Sequence, residues 1–400
     1  MRRKIKKAAG LFWEFLKYGA AWCLARGKVW TDPSWREIWL IAERGREARD
    51  NGYHFFKYMS ERHPEIVCWY VADPGLPDFD RVKKLGQVVP YRSWKHYMLC
   101  TASKIKVSTH IAGYTPDIER YYFLDKLHVI HGIKVFLQHG IIKEDIVWYH
   151  YPNVKTDLFM CSVKRETEFV KQHFGYPEGV VQCTGMCRFD TLIIPYPVKR
   201  QLLIMPTWRK YAVENKTKEE FMQSEYYHIY QELLENERLG KMLEKYNCCA
   251  VFYPHYEIQK FIDVFHTASA RIQMGHLGKA DVQTLLRESS ILVTDFSSVQ
   301  FDFAYMKKPV IYYQFDQEKY YAGHYAKGYF EYAKDGFGPV VQTIEELLEQ
   351  LNNVMENQQT MTEQYQKRVG AFFGTVDDQN CERTFQAIQK LRKERLDGKR

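Results

Sequence analysis

Long apolar runs, Cys-x-x-Cys pairs and Walker-type phosphate loops are all missing from this 400-residue chain, and each absence removes a class of protein. The most apolar stretch near the start, "AAGLFWEFLKYGAAWCLA", is broken by Glu14 and Lys17, so it falls short of the roughly 20 residues that a membrane span needs. The same two charges spoil a signal-peptide core, and no small-residue cleavage site follows. Nine cysteines are an odd number set mostly in apolar, strand-like surroundings, which suits reduced core residues of a cytosolic protein. No Cys and His cluster has metal spacing, so no metal site is expected. "GKVW" and "GHLGKA" lack the glycine spacing and preceding strand of a P-loop, which excludes nucleotide hydrolysis by that route. No internal repeat or low-complexity tract stands out.

What the chain does have is apolar and aromatic material: 46% hydrophobic and 16% aromatic residues are ample for a core. The formal charge of +8 is concentrated at one end. Residues 1–30 hold eight basic residues against the single acid Glu14, so the rest is close to neutral. That asymmetry argues for one basic appendage and against a nucleic-acid groove along the protein. Leu11, Phe15, Tyr18 and Trp22 recur at helical spacing with Lys7, Glu14 and Lys17 between them. An amphipathic helix on an anionic membrane surface is expected there, with a helix packed on its own core as the other reading.

Beyond residue 30, short apolar runs alternate with helical patterns. Strands are predicted over Ile66–Asp73, Lys104–Thr109, Lys134–Gly140, Asp157–Val163, Leu202–Arg209, Cys248–His255, Ile291–Ser298 and Pro309–Asp316. Helices are predicted in "ERGREARDNGYHFFKYMSER", "KRETEFVKQHFG", "ADVQTLLRES" and "SVQFDFAYMKK". Strand, helix, strand in repeated order predicts α/β architecture with parallel sheets, and the near-continuous apolar runs predict burial on both faces. The stretch "GMCRFDTLIIPYPVKRQ" carries two prolines between two series of strands and reads as a linker. The expected division is a basic helix over 1–30, Rossmann-like domains over 31–195 and 196–375 facing a cleft, and a basic helical tail over 376–400.

Polar residues at strand ends are the candidates for chemistry. In "VTDFSS", Asp295, Ser297 and Ser298 stand where a strand meets a helix whose free N–H groups suit a phosphate; an ordinary N-cap is the plain alternative for one serine. His139 follows a strand and precedes Gly140, so it is a candidate general base beside a residue that permits close backbone approach. His255 ends another strand, and a structural, hydrogen-bonded histidine is the alternative at either place. Thr207 and Arg209 in "PTWR" could hold a pyrophosphate, with a surface ion pair as the alternative for the arginine.

These stretches together resemble the CDP-glycerol glycerophosphotransferase family, which builds glycerol-phosphate teichoic acids. "PTWR", "VTDFSSVQFDFAYMKKPVIYYQFD" and "GYFEYAKDGFGPVV" are similar to its C-terminal signatures in order and spacing, "QHG" to its histidine-glycine turn, "GMCRFD" to its domain-joining segment and "ERGREARDNGYHFFKYM" to an N-terminal helix. The resemblance spans about residues 35–373. It implies a GT-B-like fold, peripheral attachment to the cytoplasmic face of the membrane, and transfer of a polyol phosphate from CDP-glycerol or CDP-ribitol to a lipid-linked glycan or polyol-phosphate acceptor. It also implies His139 as base, His255 near the donor phosphates, and Asp295, Ser297 and Ser298 around phosphate and polyol, with no cofactor required and Mg²⁺ left open. The chain departs from the pattern at Ile141-Ile142, at Tyr256 after His255 and at Phe296. A GT-B glycosyltransferase using a nucleotide sugar and a non-catalytic polysaccharide-assembly scaffold are the competing readings.

Overall fold

Apolar segments of two to five residues, most with a polar residue following, become parallel strands in two separate sheets of a computed structural model that describes residues 2–279, 281–323 and 326–398. The chain divides into two units. The first comprises Met1–His139, Val147–Asp190 and Asp378–Arg400; the second comprises Gly140–Ile146 and Thr191–Asp377.

In the first unit the strands are β1 (Trp39–Ala42), β2 (Cys68–Ala72), β3 (Gln87–Pro90), β4 (Ile105–Ser108), β5 (Ile133–Phe136), β6 (Leu158–Cys161) and β7 (Val181–Cys183), in the order β3-β2-β1-β4-β5-β6-β7. Trp39 and Ile41 join one apolar cluster while Leu40 and Ala42 join another, so this sheet is buried on both faces. The second unit holds β8 (Gln201–Ile204), β9 (Cys249–Phe252), β10 (Ile272–Met274), β11 (Ile291–Thr294), β12 (Val310–Tyr313) and β13 (Val340–Val341), in the order β10-β9-β8-β11-β12-β13. Each order reverses once beside its first strand, between β1 and β4 and between β8 and β11. Such a reversal opens a crevice at the carboxyl ends of the strands, and that is where a Rossmann-like unit binds ligands.

All eight expected strands form, each shorter than its apolar run. Five other strands of these two parallel sheets, including β1, lie in runs of two to four residues that periodicity does not single out, as do Glu144–Asp145 and Ala326–Lys327 of a separate two-stranded pair. The expected long helix over "ERGREARDNGYHFFKYMSER" begins only at Asn51. Its first half is a loop because the buried Glu43 carboxylate accepts the backbone N–H groups of Arg49 (2.9 Å), Asp50 (2.7 Å) and Tyr53 (3.0 Å), and Gly45 turns the chain with φ of +76°.

Both ends of the chain belong to the first unit. The C-terminal helix Asn380–Leu396 is no separate tail: Cys381, Phe385, Ile388 and Leu391 enter the Trp39 cluster, and the Asp190 carboxylate accepts the N–H groups of Asn380 and Cys381. The amino-terminal helix Arg2–Thr31 buries Tyr18, Ala21 and Ala25, with Tyr18 edge-on to Tyr97 of the Trp94–Ala102 helix. Glu14 points inward, accepting from the Tyr97 hydroxyl at 2.8 Å and pairing with Lys17 at 2.7 Å. Phe12, Trp13, Phe15, Leu16, Trp22 and Leu24 remain exposed. The helix therefore packs on its own core along one face and keeps an apolar face outward; no helix among the described residues is long and apolar enough to cross a membrane.

Glu43→Ala would leave three part-buried N–H groups without their acceptor. A loss of roughly 2–3 kcal/mol in denaturant unfolding is expected, with faster amide exchange confined to residues 44–53.

Candidate active site

In the first unit the carboxyl ends of β4 and β5 lie level, since Ser108 is in register with Phe136, and this brings Thr109, His110 and His139 together. Gln138 adopts the left-handed conformation (φ 59°) and buries its side chain, whose amide donates to the Met160 carbonyl at 2.5 Å. That turn brings His139 out to an exposed position at the strand end. Two neighbours grip the turn by its carbonyls: the Asn51 amide donates to Gln138 at 3.0 Å, and the Arg188 guanidinium donates to His139 at 3.1 Å. Arg188 is itself held by Asp50 at 2.9 Å, and its N–H donates to Asn51 at 3.0 Å.

Surrounding protein atoms disfavour the charged form of the His139 imidazole and push its pKa down to about 4, and the nearby Arg44 and Arg188 cations push the same way. A ring hydrogen bond to the Thr109 backbone opposes them. A backbone group that raises the pKa of a base is an accepting carbonyl, so one ring nitrogen donates and the other keeps its lone pair outside this bond. His139 is thus a neutral, oriented proton acceptor at pH 7. His110, also depressed to about 4, stands close enough to feel its charge and has a buried Nδ1 with no hydrogen-bond partner among the described residues. Sequence reasoning missed His110, Asn51 and Arg188 as site residues; only Arg188 left a signal, inside "GMCRFD".

The second unit gathers the other candidates at the ends of β8, β9, β11 and β12. Arg209 is 0% exposed, and its guanidinium makes a two-pronged pair with Asp316 (2.7 and 2.8 Å) and a third contact with Asp295 at 2.8 Å. Phe296 and Tyr320, stacked at 3.8 Å, both lie 5.1 Å from the guanidinium carbon. Asp295 also accepts the N–H groups of Thr207 (2.8 Å) and Phe296 (2.6 Å). This corrects the expectation that Arg209 grips a pyrophosphate while Asp295 meets phosphate or polyol. Two carboxylates already surround the one cation, so the group carries net negative charge and would repel a further anion; it is the internal brace of the loop. Thr207 contributes its backbone to that brace, and its Oγ1 is buried with no partner among the described residues.

Ser297 and Ser298 lie above the brace, half-buried. Ser298 precedes the Val299–Tyr305 helix, yet its side chain makes no capping hydrogen bond. It faces Gly140 instead: a Cβ on that glycine would fall 2.8 Å from Ser298 Oγ. The close approach that Gly140 permits is therefore made by Ser298. His255 Nδ1 accepts the N–H of Glu257 at 3.3 Å, which leaves Nε2 as the hydrogen-bearing nitrogen of the neutral ring. Trp208 lies nearly parallel to that ring at 6.2 Å, and Gln259 ties the His255 turn to the Gly275 carbonyl. Among the described residues no group of three His, Cys, Asp or Glu side chains is gathered for a metal ion.

Residues 29–390 match the model of the CDP-glycerol:poly(glycerophosphate) glycerophosphotransferase family. The chain belongs to that family. It is 36% identical over 376 residues to the minor teichoic acid biosynthesis protein GgaB of Bacillus subtilis, covering 91% of this chain and 41% of that protein. It is 28% identical to a teichoic acid poly(glycerol phosphate) polymerase of Staphylococcus epidermidis, covering 82% and 46%. The chain thus spans less than half the length of these relatives. The wall teichoic acid polymerase TagF shares the fold, with a TM-score of 0.66 at 18% identity over 97% of this chain and 99% of that one. A TagF variant soaked with CDPG superposes with a TM-score of 0.67 at 19% identity, covering 99% of each chain. The GT-B-like expectation holds: both units are parallel-sheet Rossmann-like folds.

Two outcomes follow from this geometry. Asp316→Ala should cost about 3–5 kcal/mol of stability in denaturant unfolding, because it leaves Arg209 buried with half its compensation. NMR titration of the histidine ring protons should show His139 staying neutral well below pH 6.5, protonating only near pH 4.

Proposed function

We propose that this protein transfers a polyol phosphate, in the first instance glycerol phosphate, from a CDP-polyol to a hydroxyl of a membrane- or lipid-linked glycan or polyol-phosphate acceptor, releasing CMP. The observation that carries the reading is the neutral imidazole of His139, oriented by Thr109 at a strand end, in a chain of the glycerophosphotransferase family. His139 takes the proton of the acceptor hydroxyl as that oxygen attacks the phosphorus bearing the polyol. The new P–O bond forms as the bridging P–O bond of the pyrophosphate breaks, and CMP leaves with the bonding pair. In the second unit, the Nε2–H of His255 and the hydroxyls of Ser297 and Ser298 are the groups for the donor phosphates, where charge builds as CMP departs. Arg209, Asp295 and Thr207 serve this step by fixing the serine loop.

The amino-terminal helix supplies the location. Its exposed Phe12, Trp13, Phe15, Leu16, Trp22 and Leu24, in a segment with eight basic residues and one acid, suit the interfacial layer of an anionic membrane. Attachment at the cytoplasmic face would keep the enzyme beside a lipid-linked acceptor.

The test is CMP release from CDP-glycerol, CDP-ribitol and UDP-glucose, each with and without a lipid-linked acceptor and with and without EDTA. Acceptor-dependent CMP from one CDP-polyol is expected, with His139→Ala slower by about 10²–10⁴-fold. The acid limb of kcat/KM should lie near pH 4 rather than 6.5, since a depressed base stays unprotonated to lower pH and fails only when protonated. UDP release without CMP release would mean a glycosyltransferase, and no turnover of any donor would favour the scaffold.

A further inference from the structure

Of the two histidines gathered at the carboxyl end of the first unit's sheet, only His139 has a part in the chemistry above. His110 follows β4 as His139 follows β5, and Arg44 follows β1, so the three stand on neighbouring strands at the crevice where the strand order reverses. Arg44 is felt by both rings, and His110 also feels His139. The backbone under His110 is held firmly. Ser108 Oγ accepts the His110 N–H at 3.0 Å and donates to the Glu43 carbonyl at 2.8 Å, while the His110 carbonyl accepts the N–H of Gly113 at 2.9 Å. Gly113 is seated so closely on the Glu43 loop that a Cβ would fall 1.6 Å from the Glu43 carbonyl. Arg44 is the next residue of that loop, so the same contacts that place His110 also place the start of the arginine.

The His110 ring, by contrast, is tied to nothing. It is half-buried with its Nδ1 closed to solvent, and among the described residues neither nitrogen makes a hydrogen bond or ion pair and the ring stacks on no aromatic side chain. A histidine kept only for stability would have a partner for its buried nitrogen. With no acceptor beside it, Nδ1 is the nitrogen without hydrogen, because a buried N–H left unpaired is rarer than an unpaired acceptor. The neutral ring therefore carries its hydrogen on Nε2. His139 is the converse, donating to the Thr109 backbone through one nitrogen and presenting a lone pair on the other. The pair thus offers the two halves of a hydrogen bond side by side: His139 receives a proton and His110 donates an N–H. A hydroxyl at His139 with an anionic oxygen beside it at His110 matches that pair, and the Arg44 field favours negative charge on the second group. A neutral glycan brings the hydroxyl without the anion.

We propose that His110 is an acceptor-binding residue: its Nε2–H holds a phosphate-diester oxygen of a polyol-phosphate acceptor and so seats the neighbouring hydroxyl at His139. The inference rests on the transfer reading above and deepens it, choosing a phosphate-bearing acceptor over a neutral glycan. The test has a binding arm and a turnover arm, both with a short soluble glycerol-phosphate oligomer. Calorimetric binding of the oligomer without donor should weaken about thirtyfold in His110→Ala and less than about threefold in His110→Gln, whose amide N–H can stand where the Nε2–H stood. Denaturant midpoints of both variants should match wild type. In CMP release from the CDP-polyol that wild type turns over, His110→Ala should raise the KM for the oligomer by a similar factor, leave the KM for the donor unchanged and leave the acid limb of the pH profile where His139 puts it. Equal losses with alanine and glutamine, a lowered midpoint, or a fall in kcat with the oligomer's KM unmoved would overturn the proposal in favour of a structural or proton-relay role. So would a raised KM for the donor alone, since the anion at His110 would then be the donor's, or no binding of the oligomer by wild type. Oligomer binding that follows the expected pattern while wild type releases no CMP would sink the transfer reading and leave His110 as a polyol-phosphate contact.

Discussion

The second unit depends on one buried ion group. Arg209, Asp295 and Asp316 come from the ends of three neighbouring strands, β8, β11 and β12, and their side chains are closed to solvent. Burying three charges is costly, and the cost is offset only where each charge finds directional partners. Most of these partners are here: a two-pronged pair between Arg209 and Asp316, two backbone N–H groups on Asp295 Oδ1 and the Tyr211 hydroxyl on Asp316, while Asp295 Oδ2 meets Arg209 by charge contact alone among the described residues. An apolar core at this place would be as stable, but it would not fix three loops at once. The charges therefore act through position, and the loop they fix is the one that carries Ser297 and Ser298.

The first unit solves the same problem with a less enclosed ion pair, Arg188 with Asp50 at 2.9 Å, whose guanidinium also reaches the His139 carbonyl. A left-handed Gln138 is sterically unfavourable, so the turn at Gln138–His139 persists because its carbonyls are held by Asn51 and Arg188. The arrangement has an electrostatic consequence. Desolvation first, and then Arg44 and Arg188, keep the imidazole unprotonated, which a base needs, but they also weaken it as a base. An anionic substrate that pairs with either arginine would remove that push and raise the imidazole pKa as it binds. The base would then be strongest when a phosphate-bearing substrate is in place.

How far this was legible in the sequence follows from what each feature rests on. Strands buried on both faces announce themselves as apolar runs, and eight were read that way; β1 was not, because four buried residues after a turn carry no period. His139 and His255 stand out in the sequence because a strand-end histidine is a local pattern, and both lie just beyond strand ends in the structure. The roles of Arg209 and Asp295 were misread because their meaning lies in Asp316, 107 residues away from Arg209. Charged residues in a loop motif read as ligand contacts until the partner that neutralises them is known. Glu43 misled in the same way: its acidic and basic neighbours look helical, and only the burial of its carboxylate reveals a loop.

The departure at Ile141-Ile142 gains a physical meaning from the same reasoning. Both side chains are buried, and the segment Gly140–Ile146 that holds them is grouped with the second unit. Glu144–Asp145 pairs antiparallel with Ala326–Lys327, and Gly328 sits so near the Lys143 carbonyl that a Cβ would fall 2.1 Å from it. The chain thus passes from one unit to the other between His139 and Gly140, and Gly140–Ile146 is grouped with the second unit before the chain returns to the first at Val147. A change at the two isoleucines would alter how this segment is seated while leaving the contacts of Asn51, Arg188 and Thr109 with the Gln138–His139 turn as they are. The departure therefore falls among contacts of the unit that carries Ser298, where Gly140 meets the Ser298 hydroxyl, while the contacts that orient the imidazole come from residues of the first unit.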